Sequence, residues 1–198
     1  MAKAIIFDCF GVLTKDWWRE FCATLPEGPV LEKAKELNHQ YDAGLISLQD
    51  FVAAVHKITG RKPEPIEDIF VSPEPMKNTE LLEYIKQLKP KYKIGIISNV
   101  GTNWIRDYFL TEEEQALFDD MVLSFEVGTT KPDPRIYEMA AERLGVKPEE
   151  VIFIDDLEPY CEAARGVGMQ SIVYQDFVQL KTALQKILTD FQTLNSKP

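Results

Sequence analysis

Residues 4–14 read Ala4-Ile5-Ile6-Phe7-Asp8-Cys9-Phe10-Gly11-Val12-Leu13-Thr14. The run Ala4–Phe7 has strand length and is apolar at every position. Unbroken rather than alternating apolarity implies burial on both faces, as in a parallel sheet covered by helices. The strand ends on a carboxylate, Asp8, and the chain then turns at Gly11 into further apolar residues. In open α/β sheets the C-terminal tip of a strand is where ligands bind. The first strand therefore points to both a fold class and a site.

Four more short apolar runs follow: Ile94–Ile97, Met121–Leu123, Val151–Ile154 and Ser171–Tyr174. Helical patterns separate them. Thr79–Lys89 carries Leu81, Leu82, Ile85 and Leu88 on one face and stops near Pro90. Pro134–Leu144 places Ile136, Met139, Ala140 and Leu144 inward, with Gly145 at its end. Pro159–Gly166 and Val178–Leu188 complete the set. Strands alternating with helices predict an α/β core with a parallel sheet.

The stretch after the first strand breaks that rhythm. It holds helical patterns alone, over Asp16–Leu25, Val30–Tyr41 and Ser47–Thr59, the last opened by Ser47-Leu48-Gln49-Asp50 as an N-cap with an acid in the first turn. Prolines at 63, 65, 73 and 75 read as a linker back to the core. The expected division is a core of residues 1–14 and 76–198 and a helical insertion of 15–75. An insertion at that point would sit over the sheet's C-terminal edge, above Asp8, as a lid.

Bulk properties narrow the function. The chain has 198 residues, and 32 acidic against 22 basic residues give a net charge of −10, which argues against a nucleic-acid surface. No apolar stretch approaches the roughly 20 residues of a spanning helix, and the N-terminus enters a strand at once, so no membrane partner and a cytoplasmic location are expected. Cys9, Cys22 and Cys161 are odd in number and widely spaced, which suggests no disulfide framework. Cys9 reads as a small buried hydrophobe. His39 and His56 lie in helical patterns away from any serine or cysteine elbow, which disfavours a His-based triad. Exposed aromatics leave self-association open.

Chemistry concentrates at strand ends. Asp8 follows the first strand, Ser98-Asn99 the second, Lys131 lies after the third in Gly128-Thr129-Thr130-Lys131-Pro132, and Asp155-Asp156 closes the fourth. Singly, each is ordinary: a polar turn or a solvated lysine. In this order at successive strand ends, they converge on one crevice. Three carboxylates against one lysine leave about −2 there, and like charges raise each other's pKa. A divalent cation on hard oxygen ligands, Mg²⁺ above all, resolves the repulsion.

With these pieces in view, the chain resembles the haloacid dehalogenase (HAD) superfamily. The likeness rests on Phe7-Asp8-Cys9-Phe10-Gly11-Val12-Leu13, on Ile97-Ser98-Asn99, on Glu126 to Tyr137, and on Phe153-Ile154-Asp155-Asp156 with Glu162 to Met169. It covers roughly residues 1–14 and 76–180. It implies an α/β, HAD-like Rossmannoid parallel-sheet core with a small all-α cap. It further implies that Asp8 is a nucleophile forming a covalent aspartyl intermediate. Ser98 and the Asn99 amide would hold transferring oxygens, and Lys131 would neutralise Asp8 and the substrate anion. Asp8, the Phe10 carbonyl and Asp156, supported by Asp155, would hold Mg²⁺. Gly11, Trp17 and Arg19 are expected to contact a small-molecule substrate.

Two positions depart from the pattern. Phosphatases of the superfamily usually carry an acid two residues after the nucleophile, and Phe10 has no proton to give; such a loss removes about 10²–10⁴ in rate. Tyr160 stands where Asn or Asp often assists the metal. Three readings follow: an Mg²⁺-dependent phosphatase for a small organic phosphate, with easy leaving groups or an acid from elsewhere such as the cap; a 2-haloacid dehalogenase, with Arg19 beside Trp17 and Trp18 taking the carboxylate; and a catalytically weakened binding protein. Trp17, Trp18 and Phe21 read as a cap–core seam more than a substrate wall, and Trp104 faces either cap or solvent.

Overall fold

The computed structural model describes residues 1–61 and 77–194. Five strands, β1 (Ala4–Phe7), β2 (Lys93–Ser98), β3 (Asp120–Leu123), β4 (Val151–Asp155) and β5 (Gln170–Val173), form one sheet in the order β3-β2-β1-β4-β5. Every neighbouring pair is parallel. The helices are α1 (Trp17–Ala23), α2 (Pro29–Asp42), α3 (Leu48–Thr59), α4 (Thr79–Leu88), α5 (Glu112–Gln115), α6 (Ser124–Val127), α7 (Pro134–Arg143), α8 (Glu158–Gly166) and α9 (Phe177–Leu194). A π-helical turn (Ile105–Phe109) and a 3₁₀ turn (Pro148–Glu150) complete the described elements.

Alternation along each strand explains the two-sided core. In β1, Ile5 and Phe7 join an apolar cluster with Leu81, Ile85, Leu180 and Leu184 of α4 and α9. Ala4 and Ile6 face the other way, toward Ile136, Ala140 and Ala164 of α7 and α8. β1 is buried at every position. Fully burying side chains of this size contributes about 1.5–3 kcal/mol each, which explains why the central strand is apolar throughout. Gly95 in β2 sits in tight packing, since a Cβ there would lie 3.0 Å from Leu144 Cδ1 and 3.4 Å from Ile6 Cγ1.

The helices between β1 and α4 pack around a cluster of their own, with Phe21, Leu37, Tyr41, Phe51, Val52 and Val55 at its heart. The caps are legible in the sequence: Asp16 Oδ1 accepts from the Arg19 amide at 2.9 Å, and Ser47 Oγ from the Asp50 amide at 3.1 Å. The chain enters the helical segment after Thr14 and returns at Lys77 just ahead of α4, and these two residues form an isolated antiparallel β-bridge outside the sheet. Asn78 fixes the return, its amide donating to Leu13 O at 2.8 Å and its Nδ2 to Val12 O at 3.0 Å. The proline stretch expected as a linker, and the boundary set at 75 and 76, lie outside the described residues.

Differences from the expected elements are small and have physical causes. β5 starts one residue earlier and ends at Val173, and α9 runs beyond Leu188 to Leu194. The turns α5 and α6 and the π-helical turn escape a periodicity reading because each is about one turn long. α5 is set instead by a capping box between Thr111 and Glu114. Among the described residues, no helix is long and apolar enough to cross a membrane.

Candidate active site

Asp8 sits where β1 ends, and its amide makes a last ladder bond to Ile154 O of β4 at 2.8 Å. Its Oδ1 accepts from the Cys9 amide at 2.6 Å and from the Lys131 ammonium at 2.8 Å. The same ammonium lies 2.6 Å from Asp155 Oδ2, while the other Asp155 oxygen accepts from the Leu157 amide at 2.9 Å. All three side chains are almost wholly buried. Lys131 also lies under the Tyr160 ring, 4.9 Å from its centroid.

Lys131 is held in place from β2. Asn99 Oδ1 accepts from the Lys131 amide at 2.8 Å, and Asn99 Nδ2 donates to the Lys131 carbonyl at 3.0 Å. The Asn99 side chain thus clamps the lysine loop to the second strand. Ser98 is fully buried, and its Oγ has no partner among the described residues.

Asp155 ends β4, and Asp156, the next residue, approaches Gly11. Gly11 has φ +90°, and a Cβ there would fall 2.4 Å from Asp156 Oδ2, so conformation and space both demand glycine. Asp8, Asp155 and Asp156 each offer an oxygen, all within 4.8 Å of one another. Asp156 Oδ1 is buried without a partner among the described residues. A hard-oxygen donor set with an orphaned buried oxygen fits a small divalent cation.

Burial holds the Asp8 carboxyl well above the usual range, Asp155 and Asp156 add to the shift, and Lys131 opposes it. Burial works to discharge Lys131, but Asp155 and Asp8 outweigh it and push its pKa up. Lys131 is therefore a fixed cation. Cys9 is buried, and burial followed by the Asp8 charge pushes its thiol well up, which makes it a poor nucleophile.

A cavity of about 380 Å³ opens above Asp8 and Lys131, between the sheet edge and α1–α2. Phe10, Trp17, Trp18, Tyr41, Trp104 and Tyr160 supply its aromatic wall. Trp104 is buried, stacked between Phe10 at 5.5 Å and Phe109 at 5.2 Å, with Trp17 edge-on at 6.0 Å. Trp18 stacks on Phe21 at 5.3 Å within the helical cluster. The tryptophans thus form the seam and line the cavity together. Arg19 also lines it, yet its guanidinium is engaged, 2.6 Å from Asp156 and 2.9 Å from Asp16.

Sequence reasoning missed one group of cavity residues. Lys35, Asn38, His39 and Asp42 form a polar stripe on α2 at i, i+3, i+4 and i+7 and face the cavity, while Ala34, Leu37 and Tyr41 of the same helix enter the apolar cluster. A polar stripe ordinarily faces solvent. Only its partner surface, supplied by distant strand ends, marks it as part of a site.

Comparison with known proteins agrees with this architecture. A haloacid dehalogenase-like hydrolase family profile matches residues 2–168. The bifunctional epoxide hydrolase 2 of Rattus norvegicus is 32% identical over 119 residues, covering 56% of this chain but 21% of that protein. A phosphorylated carbohydrates phosphatase of Thermotoga maritima is 27% identical over 144 residues, covering 73% of this chain and 60% of that protein. The chain thus spans a fifth to three-fifths of the length of these curated relatives. A HAD family enzyme from Bacteroides thetaiotaomicron, solved with magnesium and inorganic phosphate, superposes with a TM-score of 0.66 at 24% identity, covering 91% of this chain and 99% of that one. With the five-stranded parallel sheet, and with the profile matching most of its length, the chain belongs to the haloacid dehalogenase-like hydrolases.

Proposed function

We propose that this protein is a Mg²⁺-dependent phosphatase of a small organic phosphate, with α1–α3 acting as a cap over the nucleophile. The observation that carries the reading is the triad of oxygens from Asp8, Asp155 and Asp156, grouped within 4.8 Å beside a single buried lysine. Halide displacement has no need of such a donor set. The relatives named as phosphatases support the same direction.

In this reading the free oxygen of Asp8 attacks phosphorus, and Lys131 offsets charge on Asp8 and on the incoming anion. Ser98 Oγ, buried and without a partner among the described residues, offers a hydrogen bond to a phosphoryl oxygen. Asn99 keeps Lys131 in register through its paired bonds to that residue's backbone. Bound Mg²⁺, held by Asp8, Asp156 and the Phe10 carbonyl with Asp155 in support, would supply charge neutralisation for phosphate and nucleophile. The aromatic wall excludes water and receives an apolar or aromatic portion of the substrate. Cytoplasmic action belongs to the same proposal.

The test is phosphate release from p-nitrophenyl phosphate with Mg²⁺ and with EDTA, using Asp8→Asn as the blank. Mg²⁺-dependent release abolished in Asp8→Asn supports the reading. Chloride release from 2-chloropropionate, indifferent to EDTA, would move the protein to the dehalogenases.

A further inference from the structure

Phe10 leaves the leaving-group oxygen without the usual proton donor, and the polar stripe of α2 hangs over the same nucleophile. Asp42 ends that stripe. It lines the cavity together with Asp8, Phe10 and Lys131. Two bonds fix its position: Asn38 Nδ2 donates to Asp42 Oδ2 at 2.7 Å, and the Asp42 carbonyl accepts from Ser124 Oγ at 2.5 Å, which ties the end of α2 to the start of α6, just after β3. Its other carboxyl oxygen makes none of these bonds.

We propose that Asp42 is the general acid of this site, supplied by the helical segment instead of by the position Phe10 occupies. The proposal rests on the phosphatase reading. As Asp8 Oδ bonds to phosphorus, the ester P–O bond breaks and the Asp42 carboxyl gives its proton to the departing oxygen, releasing an alcohol. Asp42 is then a carboxylate. Water attacks the aspartyl-phosphate, one of its protons passes to Asp42, and inorganic phosphate leaves with Asp8 restored. Each turnover returns the acid to its starting state.

The surroundings suit this role. Burial, then the Asp16 carboxylate, push the Asp42 carboxyl up to about 8, while the Asn38 bond and Lys131 pull it down. It therefore holds a proton at neutral pH. The groups facing it are Asp16 ahead of α1, Asn38 on its own helix, Lys131 from the core loop and Tyr160 of α8. His39 on the same stripe lies 3.4 Å from Thr130 Oγ1 through Nδ1 and serves as the comparison residue.

The experiment compares propyl phosphate, whose alkoxide needs a proton, with 2,4-dinitrophenyl phosphate, whose phenolate does not. Asp42→Asn is expected to lower kcat/KM for propyl phosphate by about 10²-fold or more and for the dinitrophenyl ester by less than about fivefold. In the wild type, propyl phosphate hydrolysis is expected to fall with an apparent pKa near 8 that the dinitrophenyl ester does not show. This second measurement needs no variant to fold. Equal losses on both esters, no loss on either, or a selective loss in His39→Gln instead would overturn the proposal. A wild type that hydrolyses neither ester with Mg²⁺ overturns the phosphatase reading and the acid together; a wild type active on the dinitrophenyl ester, with no leaving-group selectivity lost in Asp42→Asn, overturns the acid alone.

Discussion

The Arg19 guanidinium lies 2.6 Å from Asp156 Oδ2, so a side-chain cation already neutralises a carboxylate proposed to hold Mg²⁺. Arg19 is half-exposed and shared with Asp16. Replacing it with glutamine removes a competing cation without opening the core. We expect Arg19→Gln to bind Mg²⁺ roughly two- to fivefold more tightly by calorimetry, the worth of a partly exposed ion pair. An unchanged Kd would show that Arg19 and the metal do not contend for Asp156.

Lys131 is the buried counter-charge of Asp8 and Asp155. Lys131→Met leaves two carboxylates without it, a loss of about 3–5 kcal/mol for a broken buried pair. The expected result in EDTA is a large drop in the denaturation midpoint. Mg²⁺ should then stabilise the variant more than the wild type, because the added cation takes over part of the neutralisation. Equal Mg²⁺-induced shifts in the two proteins would argue against a metal between these carboxylates.

The Asp42 carboxyl also makes a stability prediction. Its folded pKa, about 8, lies above the ordinary value, so between about pH 4 and 8 the folded state keeps a proton that the unfolded chain releases. Stability contributed by this group therefore falls as pH rises through that window and is flat beyond it. Asp42→Asn removes the dependence. Its melting temperature should gain on the wild type steadily from pH 5 to 8, as followed by thermal denaturation; parallel curves would place the Asp42 pKa near its ordinary value.

Phe10→Asp installs the acid at its usual position. Phe10 stacks on Trp104, so losing the ring should lower stability by about 2 kcal/mol. In an Asp42→Asn background the new acid should nonetheless raise propyl phosphate turnover by about tenfold or more. A rate that stays low in a well-folded double variant would mean Phe10 serves as a wall and not as a vacant acid position.

The sheet and the strand-end residues were legible because parallel strands are buried on both faces and end abruptly in polar residues. Asp8, Asn99, Lys131 and Asp155 announce themselves in that way. Asp42 does not. It sits at the end of an amphipathic helix, where an acid reads as solvated surface, and its burial comes from strand ends far away in sequence. The employment of Arg19 was equally hidden, because an arginine near two tryptophans suggests a free anion clamp until Asp156 is seen within bonding distance. The seam role of Trp17 was readable from its position at the opening of the helical insertion, whereas the place of Trp104 depended on the π-helical turn that carries Phe109.

The chain has three tryptophans, Trp17, Trp18 and Trp104, and all three line the cavity above Asp8. No indole elsewhere dilutes them. The tryptophan emission of this protein is therefore a spectrum of its cavity: quenching or a wavelength shift on adding a ligand reports events close to the nucleophile. The protein carries its own optical probe, and ligands that perturb it can be detected in solution without a label or a known reaction.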